Sequence, residues 1–414
     1  MTSIPEIVSP WWSYTKAIIA AKNWADAVYL WVPFTSLRMR QNKLKTFDEI
    51  KKTISDLNQM WKRAYLTMNI FPRNKDIKLF ESVVEKICNL WADGIIFSDP
   101  WTFNIIRKYD QKTPLHLSTQ TNILNKESVK FWYDLWVKRI VLARELNIEE
   151  IKEIKNYVPQ IELEVFVHWA MCISYSGRCL LWEYFSWRDW NKWECSHVCR
   201  YNFDVYVKEE KRPDKLFKLK EDNEWSYIFS SKDLCTIEKL WQILHYVDWL
   251  KIEWRSKSEW YAWATARVYS HVRDCILQSK KIDKKIKDLL YDIPHRQYWE
   301  GFLFNGLENY PDWESNIQSI SYDSPWPIKN KTFYWLTYDD FVDIDWKKFF
   351  KFVPKQEMFV WDKLETLLEK WLENVEILEM LSSSKKTIKR AHCNMKYIYV
   401  NFDKKLQWYE IFFA

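Results

Sequence analysis

The sequence predicts an α/β protein: a (β/α)₈ TIM-like barrel followed by a small β-rich C-terminal domain. As far as about residue 255, eight short apolar runs alternate with amphipathic helical stretches. Such alternation is typical of a parallel sheet, whose strands are buried on both faces and therefore nearly continuous in apolar character. From about residue 320, aromatic residues alternate with Lys and Asp, which indicates further strands. A chain of 414 residues is long enough for one large domain and a smaller one.

The predicted strands are, in chain order, PEIVSP, DAVYLW, RAYLTMNI, GIIFSD, LHLSTQT, RIVLARE, LEVFVH and LKIEWR. Between them, FDEIKKTISDLNQM, KLFESVVEKICNL and IEEIKEIKNY place apolar residues at helical spacing. EWYAWATARVYSHVRDCIL is predicted to be the last barrel helix. We therefore expect a barrel domain over 1–315, with a Cys-rich insertion over about 169–247, and a β-rich domain over 320–414.

The charge and hydropathy of the sequence indicate where the protein is located and which partners it can have. The chain has 62 basic and 56 acidic residues, and this net charge of +6 permits an RNA partner without requiring one. The start MTSIPEIVSP lacks the basic and apolar regions of a secretory signal, and no apolar run reaches about 18 residues. We therefore expect a cytoplasmic protein with no membrane partner. In a reducing compartment its eight cysteines are more commonly metal ligands, catalytic groups or core residues than disulfides.

Tryptophan and glycine occur in unusual numbers. The chain has 28 Trp and 4 Gly, whereas average usage would give about 29 glycines. Many tryptophans stand in turns beside strands, where glycine is the usual residue. These observations suggest that the gene uses UGA for glycine and that the printed chain reads it as tryptophan. Many of these positions should then have positive φ, or lie where backbone or ligand leaves no room for a side chain. The alternative is a naturally Trp-rich binding protein.

Polar residues at the carboxyl ends of the predicted strands are candidates for chemistry, because barrel enzymes place their active sites there. The candidate catalytic residues are Arg144, Glu145, His168, Glu253 and Arg255. Asn69 and Gln120 end two other strands and are candidate substrate-binding residues. The alternatives are that the four charged residues form a salt-bridge ring that only holds the rim, and that His168 is a satisfied rim histidine.

Cysteines cluster in the insertion. Cys172, Cys179, Cys195 and Cys199 have spacings that suit an iron–sulfur cluster, and Cys235 is a possible fifth contributor. A structural zinc, a nucleophilic cysteine and a merely buried role also remain open, since the spacings match no standard zinc or ferredoxin motif. His168 precedes Cys172 by four residues, which leaves a Cys–His site conceivable. The sequence contains neither HExxH nor GxSxG.

The same stretch resembles a known family. EVFVHWAMCISYSGRCLLWEYFSWRDWNKWECSHVCRY resembles the signature of the collagenase-like peptidase family U32, if Trp169 is read as the glycine of its HGAxCxxYSGRC core. SPWWSYTKAIIAAKNWADAVYLW, FTSLRMR, MNIFPRN, IFSDPW, LHLSTQTN and LKIEWRSKS resemble further family blocks, so the resemblance covers most of the barrel. The family pattern has glycine where this chain has Trp at positions 12, 24, 31, 61, 91, 101, 136, 169, 187, 193, 249 and 254. Trp132 is expected to be a genuine tryptophan.

The resemblance implies a function. Family members were first described as proteases, and several are hydroxylation proteins for RNA or quinones that carry a four-iron cluster. The spacing through Cys199 and the block SSKDL most resemble the branch that performs prephenate-dependent 5-hydroxylation of the wobble uridine of tRNA. The resemblance implies Cys172, Cys179 and Cys195 as ligands of a 4Fe-4S cluster, with Cys199 or Cys235 as the fourth.

Two hypotheses follow. The first is an iron–sulfur hydroxylase of tRNA, whose barrel mouth holds a small-molecule hydroxyl donor derived from prephenate. In this hypothesis four arginines are available for carboxylate or phosphate contacts and are predicted to bind substrate: Arg38, Arg40, Arg178 and Arg200. The second is a collagenase-like peptidase. Four loop cysteines without a hydrolytic triad favour the first hypothesis.

Overall fold

The computed structural model describes residues 4–11, 13–36, 43–170, 174, 176, 206–209, 212–218, 232–253, 258–305, 331, 333–368, 371–404, 406 and 411–413. Eight parallel strands form a closed barrel, since β11 pairs with both β1 and β7. The barrel strands are β1 (Glu6–Trp11), β2 (Ala27–Trp31), β3 (Arg63–Met68), β4 (Gly94–Phe97), β5 (Leu115–Leu117), β6 (Arg139–Val141), β7 (Glu162–Ala170) and β11 (Trp249–Ile252). The predicted barrel and all eight of its predicted strands are confirmed.

Helices connect successive barrel strands. They are α1 (Tyr14–Lys22), α2 (Phe47–Gln59), α3 (Ile77–Cys88), α4 (Pro100–Tyr109), α5 (Lys126–Asp134) and α6 (Ile148–Tyr157). Capping boxes fix two of the starts: the side chain of Thr46 accepts from the Glu49 backbone N–H, and Asn147 does the same for Glu150. The first residues of α2 and α6 are therefore fixed by capping hydrogen bonds.

Three further strands are described between β7 and β11. β8 (Tyr206–Glu209) and β9 (Arg212–Lys218) form an antiparallel hairpin within the predicted insertion. β10 (Asp233–Cys235) pairs antiparallel with the end of β7, and β12 (Tyr298–Trp299) pairs parallel with β10. A short helix, α9 (Phe302–Asn305), follows β12.

Gly94 shows what a true glycine does in this barrel. A Cβ at this position would lie 2.7 Å from Cε1 of His116 and 3.1 Å from Cδ1 of Tyr65. Such a contact is too close for any side chain, so β4 begins with the one residue that lets the His116 imidazole fill the interior.

The chain divides into two compact units. One comprises residues 1–256 and 295–328, and the other 257–294 and 329–414. The second unit contains α7 (Glu259–Leu277), whose bounds match the predicted helix, and α8 (Lys284–Asp292). Its strands are β13 (Phe333–Ile344), β14 (Lys347–Phe352), β15 (Met358–Phe359), β16 (Lys363–Leu368), β17 (Trp371–Ser382), β18 (Thr387–Ile388), β19 (Arg390–Ala391), β20 (Ile398–Phe402) and β21 (Ile411–Phe413).

Seven of those strands form one antiparallel sheet in the order β16-β21-β13-β14-β20-β17-β18. Its buried core includes Phe352, Ile377, Val400 and Phe412, and the rings of Phe402 and Phe412 stack 5.1 Å apart. The predicted β-rich C-terminal region is therefore confirmed. The predicted boundary between 315 and 320 lies outside the described residues.

Tryptophan occupies several positions with left-handed backbone. Eleven described residues other than glycine have positive φ, and six of them are tryptophans: Trp24, Trp61, Trp91, Trp136, Trp346 and Trp361. The expectation of positive φ is thus confirmed at four of the positions named from the family pattern. Trp31, Trp101, Trp169 and Trp249 lie inside strands or a helix and are not among the positive-φ residues.

None of the helices in the described ranges has the length and apolar character that crossing a bilayer requires.

Candidate active site

A cleft opens at the carboxyl ends of the barrel strands. It encloses about 460 Å³ of space outside the protein atoms, a volume that includes open solvent. Four predicted site residues line it, namely Asn69, Gln120, Arg144 and Glu253. The other lining residues are Tyr29, Trp31, Thr67, Ile96, Ser118, Thr119, Val141, Phe166 and Lys251. The structure therefore brings together candidates from four different strand ends.

Arg144 and Glu253 form a buried ion pair across the cleft. Arg144 follows β6 and Glu253 follows β11, and Nη2 of the arginine lies 2.6 Å from Oε2 of the glutamate. Both side chains are at most 9% exposed, and the guanidinium stacks 4.3 Å from the centre of the Phe166 ring. Burial strengthens this pair because little water competes for either charge.

Glu145 has a different role from its neighbour Arg144. Its Oε1 accepts a hydrogen bond of 2.8 Å from the backbone N–H of Ser176, and the Arg144 N–H donates to the Ser176 hydroxyl at 3.4 Å. Glu145 does not line the cleft. Of the four residues of the alternative salt-bridge ring, Arg144 and Glu253 form one ion pair and Glu145 anchors Ser176 instead, while Arg255 lies outside the described residues.

Two carboxamides face the cleft from β3 and β5. Ser118 Oγ accepts from the backbone N–H of Gln120 at 3.4 Å and from Nδ2 of Asn69 at 3.5 Å. Gln120 is 3% exposed. Its Oε1 and the Oδ1 of Asn69 are buried and have no hydrogen-bond partner within the described part of the chain. Buried amide oxygens normally have a partner, so these two atoms are open positions for a ligand.

A buried charge network beneath the cleft was missed by the sequence analysis. Glu164 is fully buried and accepts a hydrogen bond of 3.1 Å from Nη1 of Arg139 and another from Nζ of Lys251. Arg139 also donates to Glu162 at 3.0 Å and stacks 3.5 Å from the centre of the Trp249 ring. The sequence signal for it was strand alternation, in which every second residue lies on the same face: Lys251 shares a face of its strand with Glu253, and Glu164 shares one with Phe166.

The charges of this network change the titration of neighbouring groups. Burial alone would lower the pKa of Arg139, but Glu164 and Tyr65 outweigh that effect and raise it. His116 has its pKa lowered well below the usual value, first by its complete burial and then by the positive charges of Arg139 and Lys251. His116 is therefore a neutral imidazole inside the barrel near pH 7.

His168 lies at the end of β7, beside the only predicted cluster ligand within the described residues. It is 2% exposed, and its ring meets that of Tyr298 edge-on at 5.5 Å. Its backbone pairs with Cys235 on β10, so the two side chains lie on the same face of the sheet. Cys235 is 5% exposed. A buried thiol at this place fits a soft metal ligand and fits a core residue equally well.

The other predicted ligands and arginines lie outside the described residues: Arg38, Arg40, Cys172, Arg178, Cys179, Cys195, Cys199 and Arg200. Within the described ranges, no group of three or more His, Cys, Asp or Glu side chains is arranged to hold a metal ion. The prediction of four converging cysteines therefore stays a prediction.

The closed parallel barrel and its polar cleft at the strand ends define a barrel enzyme of the α/β class. The chain belongs to peptidase family U32, whose family profile matches residues 12–310. The family-level resemblance found in the sequence is confirmed.

Several characterised proteins are similar to this chain. The tRNA hydroxylation protein P of Escherichia coli (strain K12) is 34% identical over 337 residues, which cover 72% of this chain and 74% of that protein. The tRNA hydroxylation protein P of Helicobacter pylori (strain ATCC 700392 / 26695) is 36% identical, over 76% of this chain and 75% of that protein. The collagenase of Porphyromonas gingivalis (strain ATCC BAA-308 / W83) is 28% identical, over 72% and 73%.

Proposed function

We propose that this protein is a tRNA hydroxylase that adds a hydroxyl group at C5 of the wobble uridine. The observation that carries the proposal is the likeness, over nearly three quarters of both chains, to proteins named for tRNA hydroxylation. The cleft supports it, because buried carboxamides and a buried ion pair at the strand ends suit the binding and orientation of a polar substrate. A prephenate-derived small molecule would donate the hydroxyl group.

A 4Fe-4S cluster is part of the proposal. Cys172, Cys179 and Cys195 would hold it, with Cys199 or Cys235 as the fourth ligand, and such a cluster supplies electron transfer when bound. Among these residues Cys235 is the described one, and its buried place beside His168 is compatible with the proposal. Anaerobic purification followed by iron and sulfide analysis tests the cluster. Loss of bound iron in Cys179→Ala is expected, and full iron content in that variant would contradict the ligand assignment.

One described pair of side chains bears on the peptidase alternative. On α7, Sγ of Cys275 lies 3.6 Å from Nε2 of His271, which superficially resembles a nucleophile beside its base. Burial raises the pKa of the Cys275 thiol, with Asp274 adding to the effect, and burial lowers the pKa of His271. A cysteine nucleophile needs the opposite shift, because the thiolate is the reactive species. This pair therefore does not support peptidase chemistry.

We also propose that the active protein carries glycine at positions printed as tryptophan. Trp61 and Trp136 each follow the C-cap of a helix with φ near 60°, and the next backbone N–H closes back on the helix: Lys62 donates to Leu57 and Val137 donates to Trp132. This is the Schellman motif, in which glycine is the usual left-handed residue. The glycine form is defined here as the chain with glycine at the twelve positions of the family pattern and at 346 and 361.

A hairpin turn supports the same proposal. Asp345 and Trp346 join β13 to β14 as a two-residue loop, and both have positive φ. Asp-Gly is a favoured pair for such a turn because both central residues must be left-handed. The Trp346 side chain is fully exposed and makes no packing contribution that would justify an indole there. Trp31, Trp101, Trp169 and Trp249 lack this backbone signal, and for them the proposal rests on the family pattern.

Complementation tests the function. The glycine form, expressed in a bacterial strain that lacks its own tRNA hydroxylation protein, is expected to restore the hydroxyl-derived nucleoside in total tRNA. Cys179→Ala in the same background is expected not to restore it. Mass spectrometry of tRNA nucleosides measures both, and an unchanged nucleoside profile with a folded, iron-loaded protein would contradict the proposal.

A further inference from the structure

The cleft has hydrogen-bonding groups that the described residues leave unused. Oε1 of Gln120 has no partner among the described residues, and no described contact fixes the rest of its carboxamide, although the residue is 3% exposed. Oδ1 of Asn69 is likewise open, while its Nδ2 is held at 3.5 Å by Ser118. A desolvated amide oxygen without a partner costs free energy, so these two acceptors suit a ligand that supplies hydrogen-bond donors.

The charged side chains that are described at the cleft are paired with one another or with Glu164 beneath it. Arg144 is paired with Glu253, and Lys251 with Glu164. An anion bound here would have to compete with a buried carboxylate for each cation, and it would add a further negative charge to a region of low dielectric constant. The charge distribution therefore favours a neutral polar ligand over a carboxylate or phosphate.

Aromatic rings border the same space. Phe166 and Tyr29 both line the cleft, on β7 and β2. Flat rings beside buried carboxamides form the type of pocket that holds an extruded nucleobase, which stacks on apolar side chains and hydrogen-bonds through its Watson–Crick edge. Trp31 also lines the cleft, so glycine at this position would widen it.

We propose that this cleft receives the target pyrimidine base in its extruded conformation and that Gln120 reads the Watson–Crick edge of the base. This inference rests on the proposed tRNA hydroxylation. Uracil presents an N3–H donor beside an O4 acceptor, and a carboxamide presents the matching acceptor and donor. Asn69 Oδ1 offers a second acceptor toward the same ligand. Gln120 is thus a specificity-determining residue, and phosphate contacts elsewhere supply most of the affinity for tRNA.

The position of the base can be tested without catalysis. The full-length glycine form is irradiated with near-ultraviolet light in complex with an anticodon stem-loop that carries 4-thiouridine at the wobble position. Crosslinked peptides identified by mass spectrometry are expected to contain Gln120, Tyr29 or Phe166. Crosslinks confined to peptides that do not line the cleft would overturn the inference, even if the protein hydroxylates tRNA.

Substitution tests the reading of the edge. Gln120→Met keeps the shape of the side chain but removes both hydrogen-bonding groups, and it is expected to lower the hydroxylation rate by about 10- to 100-fold. Its affinity for tRNA should change less than about 2-fold, since phosphate contacts dominate binding. Gln242→Met, at a half-buried glutamine that does not line the cleft, is the matched control.

Gln120→Glu distinguishes the base from other occupants. A carboxylate cannot donate to uracil O4, but it can accept from the cytosine amino group. The rate of hydroxylation is compared on transcripts that carry uridine or cytidine at the wobble position. The ratio of the cytidine rate to the uridine rate should rise by about 10-fold or more. An unchanged ratio, or recovery of the Gln120→Met rate by a higher concentration of the hydroxyl donor, would overturn the inference and place the donor in the cleft. If the glycine form itself modifies no tRNA, the proposed function fails, and the crosslink still reports where the base lies.

Discussion

At the scale of single residues, the barrel interior is organised by charge pairing around Glu164. This carboxylate is fully buried and lies between Arg139 and Lys251. Glu164→Gln would remove the carboxylate that both buried cations contact. Because this leaves buried positive charge uncompensated, we expect the free energy of unfolding of the glycine form to fall by about 3 kcal/mol. Denaturant titration measures this change.

A surface pair provides the control for that substitution. Glu149 lies 2.7 Å from Lys152, but its side chain is 74% exposed, so water solvates either charge alone. Glu149→Gln should leave the unfolding midpoint unchanged within error. Equal effects of the two substitutions would show that burial does not determine the contribution of these carboxylates.

His116 gives the barrel a predictable response to pH. Its pKa is lowered in the folded protein, first by burial, so the unfolded chain binds a proton more readily than the folded one. Stability is therefore complete above the unfolded pKa of about 6.5 and falls as the pH drops below it. Between about pH 6.5 and pH 5.5 this one group should remove about 1 kcal/mol from the free energy of unfolding.

The measurement compares variants. His116→Gln should lose about 1 kcal/mol less than the parent glycine form over this pH interval. His245→Gln, at an exposed histidine, should follow the parent curve. A His116→Gln curve that coincides with the parent curve would mean that folding leaves the pKa of His116 unchanged.

At the scale of elements, helix ends and turns determine whether the printed tryptophans are tolerated. Trp24, Trp61, Trp91, Trp136, Trp346 and Trp361 have left-handed backbone, which costs a bulky residue of order 1 kcal/mol or more. Changing these six to glycine in the printed chain should raise the free energy of unfolding by several kcal/mol and the melting temperature by about 10 °C or more. Differential scanning calorimetry measures the shift.

Trp132 is the matched control for the turn positions. It lies in α5, is 7% exposed, and packs edge-on against Phe97 at 5.6 Å. Trp132→Gly removes this packing and places glycine inside a helix, so it should lower stability by about 3–5 kcal/mol. A lower melting temperature for the six turn substitutions together would contradict the proposal of glycine at these positions.

The barrel strands were predictable from the sequence, and the buried charge network was not. Apolar runs and helical spacing predicted every barrel strand, because a buried parallel strand has few other sequence patterns open to it. The strands in LHLSTQT and RIVLARE end earlier than predicted. In LHLSTQT, Ser118 caps a 3₁₀ turn at Thr119–Thr121. The Glu164 network was missed because its partners lie on β6, β7 and β11, and strand register is not visible in one sequence.

At the scale of the whole molecule, the chain combines the U32 barrel with an antiparallel C-terminal unit, and the central claim is that it hydroxylates tRNA. The most direct test of this claim is to locate the added oxygen within the tRNA. Transfer RNA from the complemented strain is digested with a nuclease, and the anticodon-loop fragments are compared by mass spectrometry.

We expect the wobble uridine fragment to gain the mass of the hydroxyl-derived group with the glycine form and not to gain it with Cys179→Ala. Fragments from the rest of the tRNA should be identical in both strains. An unmodified anticodon fragment, together with release of peptides from denatured collagen at a rate that Cys179→Ala leaves unchanged, would contradict the account and support a peptidase.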